Sequence, residues 1–214
     1  MPDARTTRGT HTLRTRTLVI AATAVLALGG AAVPAAATTS GAPTAAAAHV
    51  EPRALTTVSS LAAERLALAD KVAAAKYGTS TPIDDPARER QVLDDVAARS
   101  AGLGLDPAYA QAVFRDQIEA NKVVQRGLYA RWDAHPGERP AERPDLATEV
   151  RPALDRITGE LLGALRDARA GRGTVGCAPV LVAVAGREAR LQGFDALHRA
   201  GLARALPSVC ADRP

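Results

Sequence analysis

The chain has 214 residues, 47% hydrophobic, 23% charged and 3% aromatic, a balance that excludes a disordered tail, a collagen-like fibre and a disulfide-dense miniprotein. The net charge of +4 sits mostly in residues 1–37, where Arg5, Arg8, Arg14 and Arg16 face Asp3 alone. The remainder, at about +1, carries no electrostatic footprint for nucleic acid.

The first segment reads as an address. A basic stretch from Arg5 to Arg16 precedes a short apolar run, residues 18–28, and Ala35-Ala36-Ala37 supplies the small residues of a signal-peptidase site. The apolar run is shorter than the roughly 20 residues that span a bilayer, and Gly29-Gly30 and Pro34 interrupt its continuation. Residues 1–37 are therefore expected to be a signal peptide cleaved near Ala37, leaving a secreted or periplasmic protein with no membrane attachment. An oxidising compartment favours pairing of Cys177 with Cys210, the only two cysteines. His11, His49, His135 and His198 are scattered, with no C-x-x-C or H-E-x-x-H motif, so no metal site is expected.

Residues 38–53, rich in Ala, Thr, Ser, Gly and Pro, read as a flexible leader. A first helix is expected over 55–77, an Ala- and Leu-rich stretch without internal Gly or Pro. Asp85-Pro86 and Asp106-Pro107 are start signals, with Asp as N-cap and Pro in the first turn. They open helices running to about Ser100 and Trp132. Residues 135–144 hold three prolines and form a loop; a fourth helix follows over about 146–170, then a fifth over about 179–198 and a last turn before Cys210. Residues 180–184 are the one run that could be read as a strand. The expected fold is a single all-α domain over 54–212, a bundle of five to six helices with one C-terminal disulfide. The sequence Gly171-Arg172-Gly173-Thr174-Val175-Gly176 matches a dinucleotide fingerprint in letters only. It follows a helix instead of a strand, and it reads as a loop.

Polar residues on apolar stripes carry the functional signal. Arg65 aligns with Leu61, Leu68 and Val72 on the first helix, and Lys76, eleven residues on, returns to the same face about 16 Å away. Phe114, Ile118, Asn121, Gln125 and Leu128 form a seam on the third helix in which two positions are amides. Glu89 aligns with Leu93 and Val96, and Arg151 with Leu154 and Thr158. Any single arginine can snorkel. Arg65, Lys76, Arg88 and Arg151 together, against Glu89, imply an excess of positive charge inside the bundle, as in a pocket for a small polyanion. Carboxylates suit the bidentate fork of arginine.

The order Arg65-x10-Lys76-x8-Asp85-x2-Arg88-Glu89, followed by Asn121-x3-Gln125, resembles the active-site pattern of the all-helical chorismate mutases. The words Glu64-Arg65-Leu66, Pro82-Ile83-Asp84-Asp85 and Phe114-Arg115-Asp116-Gln117-Ile118 agree with it, and the leader and the cysteine pair are similar to the secreted subclass. The resemblance spans residues 55–210. It implies an intramolecular [3,3] rearrangement of the dianion chorismate to prephenate, without cofactor or metal, in a homodimer. It implies that Arg65, Arg88 and Arg151 bind carboxylates, that Lys76 and Gln125 donate to the ether oxygen, and that Glu89 accepts from the ring hydroxyl with the Asp85 backbone nearby. Asn121 stands where Ser or Thr is usual and would donate to a carboxylate. Short intracellular members take one arginine from the partner's first helix. Here the stretch before residue 55 is an Ala-rich leader whose only arginine is Arg53 at its very end, and Arg151 in Val150-Arg151-Pro152-Ala153-Leu154 is the expected replacement within one chain. The alternatives are a secreted anion-binding or catalytically degenerate helical protein, and a purely structural helical protein of the envelope.

Overall fold

The structure is a computed structural model that describes residues 50–212; the expected signal peptide and almost all of the leader lie outside the described residues. Six α-helices are found among them: α1 (Pro52–Lys76), α2 (Pro86–Gly102), α3 (Pro107–Ala134), α4 (Arg151–Ala168), α5 (Cys177–Leu191) and α6 (Ala196–Ala205). No strand occurs among the described residues, and residues 180–184 lie in α5.

Helix α1 is the axis, packed on α3, α4, α5 and α6. Its alanines make this possible. Ala62, Ala63, Ala69 and Ala73 are fully buried, and their short side chains let neighbouring helices approach from several sides. Val58 and Leu66 of α1 join Val113, Phe114 and Val124 of α3 and Ile157, Leu161 and Leu165 of α4 in the core. The α3–α6 crossing is as tight: a Cβ at Gly201 would stand 2.8 Å from Val124 Cγ2. With so few aromatic residues, the Tyr77–Tyr129–Trp132 cluster is concentrated in one place, where it seals the C-terminal ends of α1 and α3.

Local chemistry sets the helix boundaries. Asp85 accepts from the Arg88 amide (3.0 Å) and Asp106 from the Ala108 amide (3.0 Å), so both Asp-Pro pairs cap helices as expected. The start of α4 differs from the expected regular helix. Leu146–Val150 form a wide π turn in which the Arg151 amide reaches back to the Leu146 carbonyl. Pro152 explains this, because it has no amide for the Thr148 carbonyl and its ring would crowd that carbonyl in a regular helix.

The expected fifth helix is in fact two. Gly193 adopts φ +66°, Asp195 caps a new helix by accepting from the His198 amide (2.9 Å), and α6 runs on to Ala205. Of the Gly171–Gly176 stretch, Gly171 ends the 3-10 turn after α4 and the rest is a loop; Gly173, at φ +75°, donates its amide to the Cys210 carbonyl. Cys177, at the start of α5, is disulfide-bonded to Cys210, with Cα atoms 5.7 Å apart. Among the described residues no helix is long and apolar enough to cross a membrane.

Candidate active site

An open cavity of about 710 Å³ lies among α1, the 77–85 loop, the start of α2, α3 and the start of α4. Arg65, Lys76, Asp85, Arg88, Glu89, Asn121, Gln125 and Arg151 all line it. The structure thus brings together in one cavity every residue selected from the sequence.

Arg65 lies deepest. Its Nη1 donates to Thr158 Oγ1 (3.3 Å), and its guanidinium carbon stands 5.5 Å from the centre of the Phe114 ring. Burial pulls its pKa down to about 10, partly opposed by the Asp155 carboxylate, so it stays charged at neutral pH. One long face of α1 further on, Lys76 Nζ donates to the Pro82 carbonyl (2.9 Å), which folds the 77–85 loop over the ammonium. Burial lowers the Lys76 pKa, while Asp85, Asp84 and Glu89 work to hold it up.

The start of α2 presents three groups. Asp85 caps the helix by accepting from the Arg88 amide, and its own amide donates to Glu89 Oε1 (3.2 Å), so the cap is held by both of its neighbours in the first turn. Arg88 is exposed at the mouth of the cavity and touches Gln91 (Nη1 to Oε1, 3.3 Å). Arg151, on the opposite rim, is also exposed and makes no side-chain hydrogen bond or ion pair among the described residues. The interior excess of charge expected from the helical stripes is therefore corrected: Arg65 is buried and Lys76 half-buried, whereas Arg88 and Arg151 reach in from the water-filled rim. An open mouth lets a cation face the cavity without losing its hydration.

On α3, Gln125 is buried and donates Nε2 to Asn121 Oδ1 (2.6 Å), leaving Gln125 Oε1 without a partner. A buried polar atom without a partner costs about 1–3 kcal/mol; the Nε2 group, with one hydrogen spent on Asn121, keeps a second for an acceptor in the cavity.

Two residues at the site were missed by sequence reasoning in their roles. The sequence shows Thr158 only as a member of the Arg151 stripe; in the structure it accepts from Arg65 while donating to the Leu154 carbonyl (2.7 Å), which fixes the hydroxyl for its task. Lys122 was not selected at all, although Glu119 three residues earlier marks it as a paired cation next to Asn121.

A cavity with a buried arginine, a lysine under a loop, two rim arginines and a buried amide is suited to hold a small dicarboxylate and to place donors along it. Comparison with known proteins gives that chemistry a family. The family described as chorismate mutase type II matches residues 57–126. The secreted chorismate mutase of Mycolicibacterium smegmatis is 34% identical over 149 residues, covering 70% of this chain and 82% of the relative. The secreted chorismate mutase of Mycobacterium tuberculosis is 31% identical over 153 residues, covering 72% and 76%. The chain belongs to the chorismate mutase family. Two solved chorismate mutases share its fold. The one from Burkholderia phymatum has a TM-score of 0.72 at 33% identity, covering 77% of this chain and all of that one. The one from Burkholderia thailandensis has a TM-score of 0.69 at 42% identity, covering 73% and 99%.

Chorismate mutases isomerise chorismate to prephenate, and this chain is such an enzyme. The matched stretch 57–126 contains all of the cavity residues selected from the sequence except Arg151. That arginine lies beyond it, behind the π turn.

Proposed function

We propose that the enzyme carries out the chorismate-to-prephenate rearrangement in a site made from a single chain, with the roles the resemblance implied. The observation that carries this reading is the convergence of Arg65, Lys76, Arg88, Glu89, Asn121, Gln125 and Arg151 from four helices on one cavity. Arg65, Arg88 and Arg151 would bind the two carboxylates, Arg65 from the floor and the others from opposite rims. Chorismate is flexible, and clamping both carboxylates selects the compact conformer in which the new carbon–carbon bond can form.

As that bond forms, the ether carbon–oxygen bond breaks and partial negative charge builds on the oxygen. Lys76 and Gln125 would donate to it. Such donors accelerate the reaction because they bind the transition state more strongly than the ground state. The ammonium of Lys76 already lies between burial and the nearby carboxylates, a setting in which a new partial anion is worth more than in water. Glu89 would accept from the ring hydroxyl with the Asp85 backbone beside it, and Asn121 would donate its free amide to a carboxylate.

The relatives' names support export, and with them we read residues 1–37 as a signal peptide cleaved near Ala37, 38–53 as a leader and 54–212 as the catalytic domain. A homodimer in which each subunit holds a complete site completes the reading. The test is the disappearance of chorismate absorbance on adding the purified mature chain, with Lys76→Ala as control. Turnover by the parent but not the control supports the assignment. Tight binding of chorismate without turnover would instead make the chain an anion-binding protein.

A further inference from the structure

Lys122 has no direct place among the substrate-binding groups, yet its side chain is only 10% exposed. A cation so far out of water costs several kcal/mol unless it is paired. Its partners are three carboxylates: Glu119 Oε1 at 2.7 Å, both oxygens of Glu89 at 3.0 Å and Asp84 Oδ1 at 3.3 Å. Glu119 is on its own helix and would suffice for local pairing. Glu89 and Asp84 are not; they belong to the start of α2 and the loop before it.

Two consequences follow from this placement. Glu89 Oε1 accepts from the Asp85 amide, and with Lys122 spanning both oxygens the carboxylate is held from two directions. Only a narrow set of lone pairs is left to face the cavity. Secondly, Glu89 lines the cavity with Asp84 and Glu119 behind it; together they would repel a dianion, and Lys122, itself a lining residue, is the ammonium that sits among all three. Arg126, which grips Asp84 through both oxygens at 2.7 Å, is half exposed and compensates only that one.

We propose that Lys122 is a positioning residue for the reaction: it aims the Glu89 carboxylate at the substrate's ring hydroxyl and cancels the repulsion that the acidic edge of the cavity would exert on the dianion. This rests on the reading of Glu89 as hydroxyl acceptor. Burial alone would lower the Lys122 pKa, but the bonds from Glu119 and Glu89 outweigh it and raise the value, so the ammonium persists throughout the working pH range.

The probes are a pair of bicyclic dicarboxylates shaped like the compact conformer, one with the ring hydroxyl and one without. For Lys122→Met, inhibition by the hydroxyl-bearing compound should weaken about tenfold more than inhibition by the deoxy compound, and KM should rise more than kcat falls. Lys122→Arg should restore the discrimination to within about threefold of the parent, since it keeps the charge. In a Glu89→Gln background, Lys122→Met should add no further loss of discrimination, because its effect passes through that carboxylate. If the Met variant does not fold, as judged by helical circular dichroism, Lys122→Gln carries the same comparison. Equal losses for the two compounds, or no loss, would overturn the proposal. So would a parent enzyme that turns chorismate over without distinguishing them. A parent without any turnover would be the separate failure of the functional reading.

Discussion

Two regions of this molecule hold buried or half-buried charge, and they treat it in opposite ways. At the α3–α6–α1 junction the protein satisfies its own charges. Asp116 accepts from Arg204 Nη1 (2.6 Å) and the Ser208 amide (2.9 Å), and His198 is held between Asp70 (2.8 Å) and Asp195 (2.7 Å). In the cavity, Lys122 is paired within the protein, whereas Arg65 has a hydroxyl and a ring for company, Lys76 a carbonyl, and Arg151 on the exposed rim nothing among the described residues. Both regions lie in one helical bundle and are made from the same residue types. The difference is whether the counter-charge is built in or is left for the substrate, and it separates a group that stabilises the fold from one available for chemistry.

If that division holds, changes in the C-terminal region should move stability and spare turnover. The largest effect there belongs to the disulfide between Cys177 and Cys210, which ties the start of α5 to the chain end. A loop of 33 residues contributes about 3–4 kcal/mol on the chain-entropy account. Replacing both cysteines by alanine should lower Tm by roughly 10 °C with kcat unchanged within about twofold. A large fall in kcat at temperatures where the variant is folded would mean that the scaffold and the site are not separable.

The converse prediction concerns Arg151. Arg151→Ala should cost at least about a hundredfold in kcat/KM, or ~3 kcal/mol, with circular dichroism and Tm unaltered, because this exposed side chain contributes nothing to packing. Mixing it with an Arg65→Ala chain should recover no activity if each site draws on one chain only. Substantial recovery would show an arginine crossing between subunits.

What could be read from the sequence divides along the same line. The Asp-Pro starts of α2 and α3 were legible because a cap and a proline act within four residues. Arg65, Lys76, Glu89, Asn121, Gln125 and Arg151 were legible because helical periodicity brings them to known faces, whereas Asp85 joined the site only through the family resemblance. The break between α5 and α6 was not. Gly193 could have been one glycine tolerated in a long helix, and only the following Asp195 cap decides otherwise. The π turn before Arg151 was also hidden, since Pro152 is equally at home in the first turn of a regular helix. Lys122 escaped for a deeper reason. Its burial depends on which carboxylates come to it from α2 and the 77–85 loop, a tertiary fact that the α3 sequence does not contain.

Gln125→Glu tests the cavity half of the comparison more finely. The group is buried and its amide must present a donor to the developing charge on the ether oxygen. A carboxylate keeps the shape but offers only acceptors until it is protonated. At pH 8 the variant should be slower by about thirtyfold, ~2 kcal/mol, and it should recover as the solution is acidified. The parent should be flat between about pH 5 and 8, since neither an amide nor a lysine titrates there. A variant that matches the parent at pH 8 would show that Gln125 does not face the ether oxygen.

The smallest effect expected is at His198, and it tests the scaffold half through pH. The imidazole donates to Asp70 of α1 from Nε2 and to Asp195, the α6 cap, from Nδ1, so both nitrogens carry protons and the ring ties the two helices together as a cation. Its bond to Asp70 raises the pKa most; burial opposes this, the bond to Asp195 adds to it, and the folded-state value reaches about 9. The unfolded value is about 6.5. A folded pKa above the unfolded one means that the stabilisation is fully present below about pH 6.5 and is lost as pH rises through about 9. Asp70 and Asp195 are both about half exposed, so water screens the pair and the contribution should be no more than about 1–2 kcal/mol. Denaturant melts of the parent should therefore weaken between pH 6.5 and 9 by that amount. His198→Gln should abolish the part of the slope that is due to this residue, starting less stable at pH 6 and converging with the parent above pH 9, with kcat/KM unchanged across the range. Equal slopes in the two proteins would show that His198 is not charged in the fold. A changed kcat/KM would show that this junction, complete in its own charges, still acts on the cavity.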